Sequence, residues 1–221
     1  MRRAHTVFLA ALCSFVVVSC GLGRDTSTIA VEEPTPVPSV EESTPLPPTP
    51  IPGFARYEGL AMEIWLPDSY VGGDPNSVGA ELAAELTSAG VDNAAGMVED
   101  MATNVNLWAF DSAAAHAGVL PTVTVRYIPY LRGATLDWYT KVLVDSLPSA
   151  FVLAETQDVE VPEYLAQRML FNTEDQGGRL LAYVLRRGER AWVLLFAAPS
   201  GRVDELAPVF EQSVLTFRDL G

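Results

Sequence analysis

Cysteine is almost absent: the chain of 221 residues has two, Cys13 and Cys20. A folded part beyond residue 20 therefore has no thiol for a disulfide, a Cys-based metal site or a redox pair, and must be held by its core. Basic charge is short as well. The 14 Lys and Arg face 28 Asp and Glu, for a net of −14, and Lys141 is the single lysine. Residues 53–221 alone carry 11 Lys and Arg against 23 Asp and Glu, a net of −12. That balance argues against nucleic acid as a partner, because affinity for phosphate backbones comes largely from basic side chains. It also argues against a polybasic face lying on a membrane.

Catalytic signatures are missing too. There is no Gly-x-Ser-x-Gly elbow, no His-Glu-x-x-His and no phosphate-binding glycine loop. Beyond His5 the chain has one histidine, His116, in the run Ala113-Ala114-Ala115-His116-Ala117-Gly118. A Ser-His-Asp triad would have to use it, and a solvated loop histidine is the simpler reading. The pairs Glu99-Asp100 and Glu174-Asp175 lack the alternating spacing of a calcium loop and read as solvated surface. No catalytic residue, metal site or cofactor is expected.

What is present begins at the N-terminus. Arg2 and Arg3 precede an apolar run from Val7 to Val18, broken only by Cys13 and Ser14. This is the anatomy of an export signal. The run is too short for a permanent helical span, which takes about 20 residues across a ~30 Å hydrocarbon core. It ends in Val17-Val18-Ser19-Cys20-Gly21, which resembles the lipobox of bacterial lipoproteins: an aliphatic residue, a tolerant position, a small residue, then cysteine. The resemblance implies cleavage before Cys20 and a diacylglyceryl group, with further acylation such as palmitate, on that cysteine. More than one acyl chain, at ~0.8 kcal/mol per buried methylene, anchors stably where one is marginal. Residues 1–19 are thus expected to be a signal peptide. The chain is then expected at the cell membrane, held by lipid on its extracytoplasmic face.

Residues 20–52 follow as a lipidated cysteine and a disordered linker. Eight prolines fall in residues 21–52, as in Pro34-Thr35-Pro36 and Thr44-Pro45-Leu46-Pro47-Pro48. Such a composition favours extended polyproline II at ~3.1 Å per residue, a spacer reaching roughly 100 Å from the lipid.

From residue 53 to 221 the composition is that of one globular domain. Leu60, Met62, Ile64 and Leu66 alternate with Ala61, Glu63 and Trp65, which reads as a strand with two distinct faces. Asp74 and Pro75 open a helix with Val78, Leu82 and Leu86 on one face, stopped at Gly90. A second short helix fits Asp92 to Met101. Strands are expected at about 104–111 and 121–128, then a helix at 135–147 with Leu136, Tyr139, Leu143 and Leu147 on one face. Four strands follow at about 150–160, 164–172, 179–186 and 191–198, the last two joined in a hairpin by Arg187-Gly188-Glu189-Arg190. A closing helix at 204–217 must hold Pro208 in its first turn or start later.

Consecutive strands with few helices between them predict an α+β fold, an antiparallel sheet covered by helices. Three segments, Tyr57 to Tyr70, the Gly178 to Ala198 hairpin, and Val214-Leu215-Thr216-Phe217-Arg218, resemble the PsbP-like family, although Tyr70 stands where tryptophan is common and Thr216 where serine is common. The resemblance implies a PsbP-like α/β/α sandwich and a non-enzymatic habit. With His116 alone there is no histidine cluster, so a photosystem role does not carry over, and fold by itself does not give function.

Aromatic residues supply the remaining lead. Trp138 and Tyr139 are neighbours on a helix and cannot both face the core, so one sits at its edge. Together with Tyr70, Tyr130 and Arg132 they are candidates to line a groove for a partner or ligand. The simpler alternative has Trp138 covering the rim of the core. Arg186, Arg187 and Arg190 form a basic hairpin tip, with Arg187 a candidate contact for an acidic partner. The function expected from these features is a lipid-anchored, extracytoplasmic, non-enzymatic interaction or assembly module of the cell envelope, with an envelope or membrane protein as partner. The alternatives are a lipoprotein that binds a small molecule for delivery to a membrane partner, and a hydrolase with an unrecognised site.

Overall fold

The computed structural model describes residues 50–221 except 118, 119, 130, 132 and 176. The signal peptide, Cys20, nearly all of the linker, Tyr130 and Arg132 lie outside the described residues.

The chain enters with β1 (Phe54–Gly59), turns at Leu60-Ala61, and returns as β2 (Met62–Pro67). Ala61 takes the turn at φ 59°, a left-handed conformation that side chains other than glycine seldom adopt. β3 (Tyr70–Gly73) leads into α1 (Pro75–Ser88) and α2 (Ala94–Asn104). After β4 (Leu107–Asp111), one short helical turn α3 (Ser112–His116) and β5 (Thr122–Ile128) comes α4 (Leu136–Ser146). Four long strands follow: β6 (Phe151–Val161), β7 (Tyr164–Thr173), β8 (Gly178–Arg187) and β9 (Arg190–Pro199). A 3-10 turn at Ser200–Arg202, α5 (Val203–Val214) and β10 (Arg218–Asp219) complete the order.

Every pairing is antiparallel. Seven strands form one sheet in the order β3-β4-β5-β9-β8-β7-β6, and three form a second in the order β1-β2-β10. At the β3 edge, Gly72 faces Ala109 so closely that a Cβ would lie 2.2 Å from the alanine methyl, which is why glycine stands there.

The central strands β8 and β9 are apolar at nearly every position because both faces of the large sheet are covered there, whereas the edge strand β6 is exposed over most of its length. On one face Leu181, Tyr183, Leu194 and Phe196 meet Met62, Ile64 and Leu66 of the small sheet and Phe210, Val214 and Phe217 of the C-terminal segment. On the other face α4 buries Tyr139 and Leu143 against Leu180, Ala182, Val193 and Leu195. Beside it, α1 and α2 bury Leu82, Leu86, Val98 and Met101 against Trp108 and Phe110. The result is the expected α+β sandwich, an antiparallel sheet with helices on it. Burying each large apolar side chain contributes about 1.5–3 kcal/mol.

Local signals set the helix starts. Asp74 accepts from Asn76 N with Pro75 in the first turn, and Thr135 accepts from Trp138 N at the head of α4. Two expectations need correction, and Glu63, on the other face of its strand from Met62 and Ile64, is buried as they are. The strand read from Leu60 is a hairpin, and Leu60 is exposed in its turn. Pro208 lies inside α5, at its sixth position, because α5 already begins at Val203. The burial of Leu206, Phe210 and Val214 outweighs the missing donor.

Candidate functional site

The pairing of β10 with β2 places Arg218 opposite Glu63, and Arg56 on β1 reaches the same carboxylate. Arg56 lies 2.6 Å from Glu63 and Arg218 3.9 Å, while the Glu63 side chain is only 4 % exposed. One residue along, Asp219 is 2.6 Å from Arg190. A strand position that looks solvated in sequence is therefore a buried carboxylate held by two guanidiniums, because an uncompensated buried charge is not tolerated.

The β8–β9 hairpin adds a second oddity. Gly188 turns the chain at φ 57°, and Arg187 and Arg190 come to stand directly opposite each other. Like charges in that register disfavour the pairing. Each is met by an acid from elsewhere: Arg187 by Glu163 at 3.0 Å and Arg190 by Asp219 at 2.6 Å. Glu163 sits in the β6–β7 turn at φ 68°, a left-handed position unusual for glutamate. Local rules broken together at one place point to a functional site rather than to stability.

These residues line a cleft of about 470 Å³ at one end of the sandwich, with Arg56, Glu63, Glu163, Arg187, Arg218 and Asp219 as its charged walls. Its aromatic floor is Tyr164 and Phe217, whose rings are 5.5 Å apart, and Trp192 backs Phe217 at the same distance. The Tyr164 hydroxyl accepts from Asp219 N at 3.0 Å. Burial raises the Tyr164 pKa, and the neighbouring Asp219 charge adds to the rise, against the opposing effect of that hydrogen bond and of Arg187. On the rim, Leu215 and Leu220 are each 54 % exposed. A shallower hollow of about 440 Å³ shares Glu163, Tyr164 and Arg187 and adds Arg186 and the exposed Leu165. Five of the domain's eleven basic residues, Arg56, Arg186, Arg187, Arg190 and Arg218, gather at this end.

Of the residues singled out in the sequence, Arg187 belongs to this cleft. The aromatic group does not come together. Tyr70 is buried on the face of the large sheet that meets the small sheet, and Tyr139 is buried on the opposite face under α4. Alternation along the strands separates them, so Tyr70 is not part of a groove with Trp138 and Tyr139. Tyr139 accepts from Leu131 N through its hydroxyl, and Trp138 covers the rim of that core at 39 % exposure. Tyr130 and Arg132 lie outside the described residues. The acidic pairs are exposed, and Asp175 accepts from Thr173 and Gly177 N, which hold its carboxyl below the usual range in a turn. Among the described residues no three His, Cys, Asp or Glu side chains gather as a metal site, and no helix is long and apolar enough to cross a membrane.

Sequence reasoning missed Arg56, Glu63, Tyr164, Arg218 and Asp219. One signal was available. Trp65 shares Glu63's side of β2, and a large aromatic two positions away marks a covered face rather than a solvated one.

No protein-family model matches the chain, and no curated protein matches it in sequence. Among solved structures it is similar to cyanobacterial PsbP (CyanoP) from Synechocystis, with a TM-score of 0.49 and 12% identity, over 80% of this chain and 98% of that one. It is similar to LpqN, described as involved in cell envelope biogenesis of Mycobacterium tuberculosis, with a TM-score of 0.45 and 9% identity, over 74% of this chain and 88% of that one. The immunity protein TplEi from Pseudomonas aeruginosa gives a TM-score of 0.42 and 9% identity, over 76% of this chain and 99% of that one. Each is a likeness of fold alone. The α+β class is read from this chain's own sheets and helices.

Proposed function

We propose that this chain is a lipid-anchored, extracytoplasmic interaction module of a bacterial cell envelope, and that a partner protein docks at the arginine-lined cleft. The anchor rests on Val17-Val18-Ser19-Cys20, with the proline-rich residues to 52 as the spacer. One observation carries the docking role: half-exposed Arg56 stands over buried Glu63, Arg190 holds buried Asp219, and half-exposed Arg187 stands beside them with exposed Glu163, between leucines that are 54 % exposed. Arginine and tyrosine beside exposed aliphatic side chains is the composition of an interface centre, where a few residues carry most of the binding.

The chain has a single lysine, Lys141 on α4, so amine-reactive cross-linking reports almost nothing about the cleft. A photo-reactive residue in place of Leu215 in the full chain, irradiated in the native envelope and read by mass spectrometry, tests the site directly. The expected result is one reproducible envelope protein, lost with Arg187→Glu and not captured from the same probe at Val152. The same capture from both positions, or capture that survives Arg187→Glu, defeats the docking role. The cleft's volume, above the ~300 Å³ lower end of small-molecule sites, supports a second reading. A small molecule that co-purifies with the wild-type chain, and is lost with Arg187→Glu, favours it.

A further inference from the structure

The seven-stranded sheet ends at β6, and among the described residues no strand pairs with its outer edge. β6 is long for that position, 11 residues from Phe151 to Val161. Native edge strands are mostly short, bulged or covered, because an open row of backbone N–H and C=O groups is a template for another chain. Here the register slips once, between Leu153 and Glu155, and then runs unbroken from Glu155 opposite Leu170 to Val161 opposite Tyr164. Along that stretch every second residue turns its N–H and C=O away from β7, toward the open side.

The charges along this edge are of one sign. Glu155, Asp158 and Glu160 are the charged residues of β6, all three exposed, and the strand has no lysine or arginine. Alternation puts Glu155 on one face of the sheet and Asp158 and Glu160 on the other, so an added strand would meet carboxylates on both faces. They are poorly compensated from within. Arg168, 3.8 Å from Glu155, also serves Glu211 at 3.5 Å. Asp158 is met by the Gln167 amide at 3.0 Å, and among the described residues neither it nor Glu160 has a basic partner.

Charge decides what can lie on this edge. Cross-strand neighbours of opposite charge favour pairing, and like charges directly opposite disfavour it. A second copy, pairing β6 with β6, would bring the same three acids into the ladder again. This chain's own N-terminal residues fit no better. Residues 34–52 are rich in proline, which lacks the donor a ladder needs, and the proline-free run before them, Asp25-Thr26-Ser27-Thr28-Ile29-Ala30-Val31-Glu32-Glu33, is itself acidic. We propose that β6 takes up an extended segment of another protein as a further strand, and that this segment carries Lys or Arg facing Glu155, Asp158 and Glu160. Backbone pairing supplies the affinity, and the carboxylates select the partner. The edge is separate from the arginine cleft, whose partner must meet charge of the opposite sign.

The test uses the full chain in detergent and, as the probe, a fluorescein-labelled peptide of alternating lysine and valine, about eight residues long as strands commonly are. The expected result is a saturable rise in anisotropy, with slowed hydrogen exchange at the outward amides of β6. Two peptide controls leave the protein untouched. Glutamate in place of lysine keeps the backbone and reverses the charge, and N-methylation of every residue keeps the charge and removes the donors. Each weakens binding about tenfold or more. Asp158→Lys with Glu160→Lys, both at exposed positions, weakens binding of the lysine peptide and strengthens that of the glutamate peptide, whereas Arg187→Glu leaves the lysine peptide bound. Binding that fails to saturate, that survives N-methylation, or that ignores the double charge reversal overturns the proposal. Protection of the outward β6 amides before any peptide is added also overturns it. Protection that appears as the chain dimerises assigns the edge to a second copy, and protection in the monomer assigns it to this chain's own N-terminal residues.

Discussion

The guanidinium of Arg56 lies 2.6 Å from the carboxylate of Glu63, whose side chain is 4 % exposed while that of Arg56 is 50 % exposed. The pair is lopsided: the anion is inside and the cation is its bridge to water. Removing one partner of a fully buried pair costs about 3–5 kcal/mol. Arg56→Met should lower the unfolding free energy by less, on the order of 2 kcal/mol, because Arg218 remains 3.9 Å away. Urea unfolding at low salt measures it. A loss within about 0.5 kcal/mol of zero would show that Arg218 alone supports the charge.

Much of this architecture was legible in the sequence. Asp74 with Pro75, the Leu82 and Leu86 face, the four long strands and Gly188 each carry their own local reason, and each gave an element within a few residues of where it lies. Short elements were not legible. β3 and β10 contain four and two residues, too few for a period to show, and exist because a longer neighbour supplies their hydrogen bonds. The cleft was legible only at its hairpin tip, Arg186, Arg187 and Arg190. Glu63 and Asp219 are far apart in sequence and meet their arginines only through pairing across the small sheet and the hairpin tip. Tyr70, grouped by residue type with Trp138, was sent to the other face by strand alternation, which composition cannot reveal.

Tyr183 gives a pH dependence. It lies on the large sheet beneath α5, its hydroxyl is buried without a partner, and burial, with the charge of Glu211, pushes its pKa up to about 12 against the opposing effect of Arg168. A folded-state pKa above the unfolded value near 10 means that the native form holds its proton longer. Stability is therefore complete below about pH 10 and lost as pH rises toward 12. Tyr183→Phe should flatten that alkaline loss. At pH 7 it should be neutral or stabilising by up to about 1 kcal/mol, because it removes an unsatisfied polar group. Chemical denaturation at pH 7 and pH 11 checks both; an unchanged alkaline slope would mean that other tyrosines carry it.

The lipid anchor makes a separate prediction. Cys20→Ala removes the only thiol that can accept a diacylglyceryl group after the apolar run, so the chain should accumulate unprocessed or leave the membrane fraction. Alkaline washing of membranes followed by immunoblotting distinguishes the variant from wild type. Normal processing with unchanged retention would overturn the lipid anchor, and a contact other than lipid on Cys20 would then have to hold the chain at the membrane.

Pro208 is exposed at the sixth position of α5, where a missing N–H deprives the Asp204 carbonyl of its helical partner. Interior proline costs ~3 kcal/mol against alanine, less near a helix start. Proline repays about 0.4–1 kcal/mol by restricting the unfolded chain. The helix persists because Leu206, Phe210 and Val214 are 8 %, 1 % and 1 % exposed on the core side. Pro208→Ala should therefore stabilise the fold by about 1–2 kcal/mol, raising the thermal midpoint by about 2–4 °C per kcal/mol for a domain of this size. Differential scanning calorimetry reads the shift and circular dichroism the helix content. A lower midpoint with unchanged helicity would mean that the first turn, Val203 to Leu206, is already frayed in solution, so that Pro208 stands at the true helix start and its rigidity stabilises the fold.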